Sequence, residues 1–212
     1  IAIREGNGTD PDMNPRLRAV LQNCRAANMP KDNVERAIKK ATDKDTSDFK
    51  EVNFEGYAPH GIAVFVETAT DNNNRTVANV RSHFNKGNGN LSTSGSVEFM
   101  FDHVCFFKLK SEGLELEELE LELIDFGAEE IEMDEDAFIV TGSFESFGSL
   151  QKKLEDDGAE IIESGLERVP NTTKDLDAEA TAEVEKLIER LEEDDDVQQV
   201  FHTMSTSTPA PE

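Results

Sequence analysis

The sequence is poor in the residues that usually announce a function. It has no tryptophan, one tyrosine (Tyr57) and two cysteines in 212 residues. Cys24 and Cys105 make no CxxC pair and no ladder of spacings, so no disulfide framework is encoded. That usage fits a reducing compartment, and a mature organellar protein shares it. His60, His83, His103 and His202 are scattered without an HxxxH or HExxH spacing, which leaves no zinc signature. His83 and His103 read as surface or packing residues rather than bases. No Gly-x-Ser-x-Gly elbow, Cys/His nucleophile pair or phosphate-loop ending is present, so neither catalytic residues nor a cofactor are expected. Carboxylate pairs carry no information, because forty-six acids produce every spacing. No apolar run is long enough to span a bilayer, and no signal peptide opens the chain. Ile1 is not an initiator methionine, so the natural start is expected upstream.

Positive charge is also scarce, and its placement is uneven. The net charge is −25. Residues 1–44 carry nine basic and six acidic side chains, net +3, and residues 45–110 six and eight, net −2. Residues 111–212 carry six and thirty-two, net −26. One end therefore tolerates a polyanion and the other repels it, although an acidic half serves plain solubility equally well.

What is present is periodicity. Asn14 and Pro15 open a helix in which Leu17, Val20, Leu21 and Cys24 form one stripe. Asn28-Met29-Pro30 ends it, and Val34, Ala37, Ile38 and Ala41 mark a second helix. A missing N-terminal segment is a candidate third. After a linker at Thr42–Asp48, strands are expected at Glu51–Tyr57 and Ile62–Val66, the latter apolar on both faces. A helix capped at residues 71–74 buries Val77, Val80 and Phe84, and Val97–Leu109 reads as strand. The Glu/Leu stretch 114–124 has strand period in parts, but its composition favours helix. Strands at 131–133 and 137–140, a helix at 147–154 and a strand at 159–162 complete a β-α-β-β-α-β order. A helix on Ala180, Val184, Leu187, Ile188 and Leu191 and a strand at 197–201 follow.

The fold class is therefore α+β multidomain. A helical N-terminal domain (1–45) precedes a discontinuous α/β domain (46–104 plus 166–204). A ferredoxin-like α/β domain (105–165) is inserted in the latter, and a disordered tail is expected at 205–212.

Three blocks carry a family resemblance. The first is Asn14-Pro15-Arg16-Leu17-Arg18 with the run from Ala27 to Lys40. The second is Phe54-Glu55-Gly56-Tyr57 with Thr70-Asp71-Asn72 and Asn74-Arg75-Thr76, and the third Gly89-Asn90-Leu91 with Gly95-Ser96-Val97. In this order and spacing they resemble the YebC-like family. The resemblance implies a helical domain and two α/β domains, located in the bacterial cytoplasm or, in eukaryotes, in mitochondria. It implies regulation of gene expression. Some members are described as DNA-binding transcriptional regulators. Others are ribosome-associated translational activators, including for proline-rich nascent chains and for cytochrome c oxidase subunit one. No catalytic residue comes with the family. This chain departs from the pattern in its missing basic lead segment, in Ala58 and His60 where members often have glycine, and in Asn88, which interrupts paired glycines.

The expected nucleic-acid contacts are Arg16, Arg18, Arg25, Lys31, Arg36, Lys39 and Lys40. Arg18 and Arg25 lie seven apart, and Arg36 and Lys40 four apart, so each pair shares a helix face. Such cations neutralise phosphates, or else form a solvated face with local pairs such as Glu35 with Lys39. A second, weaker anion or loop site gathers Tyr57, Asn72, Asn74 and Arg75, where capping alone is the plainer reading. Three function classes remain open: a ribosome- or RNA-associated translation factor, a DNA-binding transcriptional regulator, and an enzyme or small-molecule binder. Partners in the first two are ribosomal RNA or DNA, with basic ribosomal proteins as a further candidate. The oligomeric state is open.

Overall fold

A computed structural model of the protein describes residues 1–6, 8–43 and 49–205. Most of the expected linker (44–48) and tail (206–212) lie outside the described residues. Three helices come first: α1 (Ala2–Glu5), α2 (Pro15–Ala26) and α3 (Lys31–Thr42). Then follow β1 (Lys50–Tyr57), β2 (Ala63–Thr70), α4 (Asn73–Lys86) and the short β3 (Asn90–Leu91). Next are β4 (Phe101–Lys110), α5 (Leu116–Leu123), β5 (Ala128–Asp134), β6 (Ala137–Ser143), α6 (Phe147–Asp156) and β7 (Ile161–Pro170). The last elements are α7 (Ala178–Glu192) and β8 (Val197–His202). The chain divides into two compact units, one from residues 1–46 with 103–167, the other from 47–102 with 168–212.

In the second unit the sheet order is β3-β1-β2-β8. β1 and β2 are antiparallel with Phe54 opposite Val66, and β8 joins the far side of β2 with Phe201 opposite Phe65. The near-continuous apolar run of β2 has a physical reason, since both of its faces are covered. Val64 and Val66 pack with Val80 and Phe84 of α4 and with Val184, Leu187 and Leu191 of α7. Ala63 and Phe65 pack on the opposite face with Val97 and Phe101. The close approach of α4 to β1 requires glycine at position 56. A Cβ there would stand 2.7 Å from the Phe84 ring and 2.6 Å from the Asn90 carbonyl oxygen.

In the first unit the sheet order is β5-β6-β4-β7. Cys105, Phe107 and Leu109 of β4 and Phe138 and Val140 of β6 form one core with Leu119 and Leu123 of α5 and Leu150 and Leu154 of α6. The N-terminal helices belong to the same unit, and α2 attaches through polar groups. The Asn23 amide donates to the Ser164 carbonyl at 2.7 Å and accepts from the Ser164 N–H at 3.1 Å, which occupies backbone groups of the edge strand β7.

Three expectations need correction. The strand expected at Val97–Leu109 starts at Phe101, because residues 98–100 form a 3₁₀ turn. The N–H groups of Val97 and Glu98 are bound by the Glu55 carboxylate, which takes them out of any ladder. The strand expected at 159–162 instead runs Ile161–Pro170, through a polar, glycine-containing stretch that carries no alternation. On α2 the buried positions are Leu17 and Ala19, while Val20 is 46% exposed, as befits a helix docked by hydrogen bonds rather than by an apolar stripe.

Candidate nucleic-acid interface

Local sequence fixes the helical hairpin at both ends of α2. Asn14 is buried, accepts from the Leu17 N–H at 3.1 Å as N-cap, and donates to the carbonyls of Ala2 (2.7 Å) and Gly8 (2.9 Å). The helix ends in a Schellman motif. Asn28 takes a left-handed φ of 53°, its N–H bonds the Arg25 carbonyl, and the Met29 N–H bonds that of Cys24. Arg4 of α1 donates to the carbonyls of Ala41 (3.0 Å) and Asp43 (2.9 Å), so a guanidinium caps the C-terminus of α3. Sequence reasoning missed this role, which no short-range pattern signals.

α3 buries no residue fully. Val34, Ile38 and Ala41 are half-buried, Arg36, Lys39 and Lys40 lie in solvent on the other side, and Lys31 is exposed at the N-terminal end of the helix. The Lys31 side chain is 88% exposed and lies 3.6 Å from Glu35, a screened surface pair. Arg36 is held within its own helix by the Asp32 carbonyl at 3.1 Å and by the Asn33 side chain. Arg16 and Arg25 on α2 are exposed. Arg18 differs from the others. Its Nε pairs with Glu155 of α6 at 2.9 Å and its Nη1 donates to the Pro11 carbonyl at 2.7 Å, while Gln22 binds the same carboxylate at 3.1 Å. The pairing of Arg18 and Arg25 on one face therefore does not extend to their availability.

The second candidate group is dispersed into separate structural roles. Asn72 caps α4 by accepting from the Arg75 N–H at 3.2 Å. Arg75 is clamped by Asp196 at 2.7 Å and Asp71 at 3.0 Å, and Asn74 is exposed. Asp196 also accepts from the Thr76 hydroxyl at 2.7 Å. Burial pushes the Asp196 carboxyl up, but Arg75 and the Thr76 hydroxyl outweigh it and hold its pKa below the ordinary aspartate value. A groove of about 690 Å³ beside it is lined by Arg75, His83 and Lys86 but also by Glu193, Asp194 and Asp195. Its field does not favour an anion. Tyr57 is half-buried with its hydroxyl 3.3 Å from the Ser96 carbonyl.

The loop between β3 and β4 is organised by a side chain that sequence reasoning left unassigned. Glu55, 3% exposed, accepts from the N–H groups of Gly95 (2.6 Å), Val97 (2.7 Å) and Glu98 (2.9 Å). Burial raises its pKa, and these N–H dipoles more than reverse that. Arg168 lies over the Phe65 ring at 4.3 Å and pairs with Glu67 at 3.1 Å. The positions that depart from glycine are accommodated. Asn88 adopts φ 55° at the end of α4, and His60 adopts φ 63°, held by Glu183 at 2.8 Å and by Lys174 on its carbonyl at 2.6 Å. His83 pairs with Asp194 at 3.0 Å, and His103 stacks on Phe144 at 4.3 Å. Among the described residues no group of three or more His, Cys, Asp or Glu could hold a metal ion, and no helix is long and apolar enough to cross a membrane.

Residues 1–44 match the TACO1/YebC protein N-terminal domain, and residues 49–204 match the TACO1/YebC second and third domain. The chain belongs to the TACO1/YebC family. A probable transcriptional regulatory protein of Flavobacterium johnsoniae is 64% identical over 204 residues, covering 96% of this chain and 86% of the relative. One of Parabacteroides distasonis, with the same description, is 58% identical over 205 residues, covering 96% and 84%. The crystal structure of a conserved hypothetical protein from Aquifex aeolicus superposes with a TM-score of 0.83 at 37% identity, covering 100% of this chain and 88% of that one. The mixed α/β architecture with its two four-stranded sheets is thus shared with a solved structure, and the relatives are named as probable transcriptional regulatory proteins.

Proposed function

We propose that this TACO1/YebC-family chain is a non-enzymatic, cytoplasmic regulator of gene expression that engages nucleic acid through its N-terminal hairpin. The observation that carries the reading is α3. It sinks no residue fully into the protein, and it presents Lys31, Arg36, Lys39 and Lys40 to solvent in a chain whose net charge is −25. Such a helix can neutralise several phosphates and release their counterions. Exposed Arg25 of α2 adds a further cation. Arg18, paired with Glu155, acts as a positioning residue for α2.

We favour the ribosome as the target. The thirty-two acids of residues 111–212 would be repelled by a long duplex, whereas a ribosomal site can meet the basic end with RNA and the acidic end with basic protein. A DNA-binding transcriptional regulator is the second reading, favoured by the names of the relatives. We also read β4 to β7 as a ferredoxin-like domain inserted into the α/β domain that β8 completes. The strand order β5-β6-β4-β7 supports this.

The test is sedimentation with ribosomes. Co-migration at low salt that disappears after RNase treatment, and in the triple variant Arg25→Glu, Arg36→Glu, Lys39→Glu, supports the reading. Sequence-selective shift of promoter DNA at physiological salt, with no ribosome association, supports the second.

A further inference from the structure

We propose that the outward face of α5 docks a cationic protein segment that carries an apolar anchor. Residues 111–136 contain thirteen carboxylates and no lysine or arginine. Leu119 and Leu123 point into the core, which turns Leu121 outward. Leu121 is 78% exposed, and Ile124, three residues on and beside it by helical spacing, is 65% exposed. Glu117, Glu118 and Asp125 lie three or four residues from Leu121 and are exposed. Among the described residues, Glu117, Glu118, Glu120 and Asp125 have no cationic partner, whereas Glu122 pairs with Lys153 at 3.4 Å. Single exposed apolar residues are ordinary on a protein surface, but a Leu–Ile pair set among uncompensated carboxylates is not.

Charge selects the occupant. Nucleic acid and an anionic membrane are repelled, and so is the same face of a second copy. A basic segment gains Coulomb attraction over the whole face and buries its anchor on Leu121 and Ile124. This surface is separate from the α3 cations, so the inference stands whether or not the hairpin binds phosphate.

The experiment measures binding of the full chain to a fluorescein-labelled Leu/Lys amphipathic helical peptide by anisotropy at low salt. Oligolysine and a Leu/Glu peptide of the same length are the controls. The Leu/Lys peptide is expected to bind about tenfold more tightly than oligolysine, from the buried apolar area. Leu121→Ser with Ile124→Ser is expected to abolish that tenfold advantage, and Glu117→Gln with Glu118→Gln to weaken binding of both cationic peptides. Glu185→Gln with Glu189→Gln on α7 serves as the charge control and should leave binding unchanged. All these positions are exposed, so the variants keep the fold, which circular dichroism checks. The proposal is overturned if the parent fails to bind the Leu/Lys peptide, if the Leu121/Ile124 variant binds it within twofold of the parent, or if the Leu/Glu peptide binds as well.

Discussion

Replacing Glu55 with glutamine should destabilise the protein through the loop it organises. Its carboxylate accepts three backbone N–H bonds, of 2.6, 2.7 and 2.9 Å, two of them at one oxygen. A hydrogen bond to a charged group is worth about 1.5–3 kcal/mol. The best glutamine rotamer keeps its carbonyl on Val97 and Glu98 and turns its amide toward the Gly95 N–H, donor facing donor, although Gly95 is exposed and its N–H can turn to water. The expected loss for Glu55→Gln is therefore about 1.5–2 kcal/mol. The pH dependence has a definite sign. The folded pKa is depressed below the ordinary 4.5, so the stabilisation is complete above that value and is lost as pH falls through the lower folded one. Urea unfolding of parent and variant at pH 7 and in acid reads the gap, and amide exchange at Gly95, Val97 and Glu98 locates it. A gap at pH 7 smaller than about 0.5 kcal/mol, the scatter of ordinary surface changes, would refute the reasoning. So would a gap that widens on acidification.

Gly56→Ala forces a methyl group between the Phe84 ring and the Asn90 carbonyl, and should cost about 1–3 kcal/mol by overpacking, read in thermal or urea unfolding. The Cys105 thiol is buried and its pKa is pushed up to about 11, so a thiol reagent at pH 8 should modify it only after unfolding, while half-buried Cys24 reacts in the native protein. Arg18→Ala breaks the Glu155 pair and should lower stability by about 1 kcal/mol while leaving polyanion affinity within twofold of the parent, since that side chain is already engaged.

Much of the fold could be read locally because its signals are local. The apolar run of residues 62–66, the Asn14 and Asn72 caps and the stripe from Ala180 to Leu191 each appear in the structure where the pattern put them. The misreadings share a cause, which is a partner distant in the chain. The start of β4 depends on Glu55 taking the N–H groups of Val97 and Glu98, more than forty residues away. The polar second half of β7 has no period of its own to announce a strand. The candidate interface divides in the same way. The exposure of Arg36, Lys39 and Lys40 follows from helical spacing, but the engagement of Arg18 depends on Glu155, 137 residues on. Arg75, offered by sequence as an anion site, is claimed by Asp196, 121 residues away.

The salt dependence of RNA binding tests the phosphate-contacting hairpin most directly. Affinity for a ribosomal RNA fragment, measured from low to physiological salt, should fall with a log–log slope of about −4 if Arg25 and the four cations of α3 each displace a counterion. The Arg25→Glu, Arg36→Glu, Lys39→Glu variant should lose binding or flatten that slope to near zero. An unchanged slope in the variant, or no binding by the parent at any salt, would contradict the account.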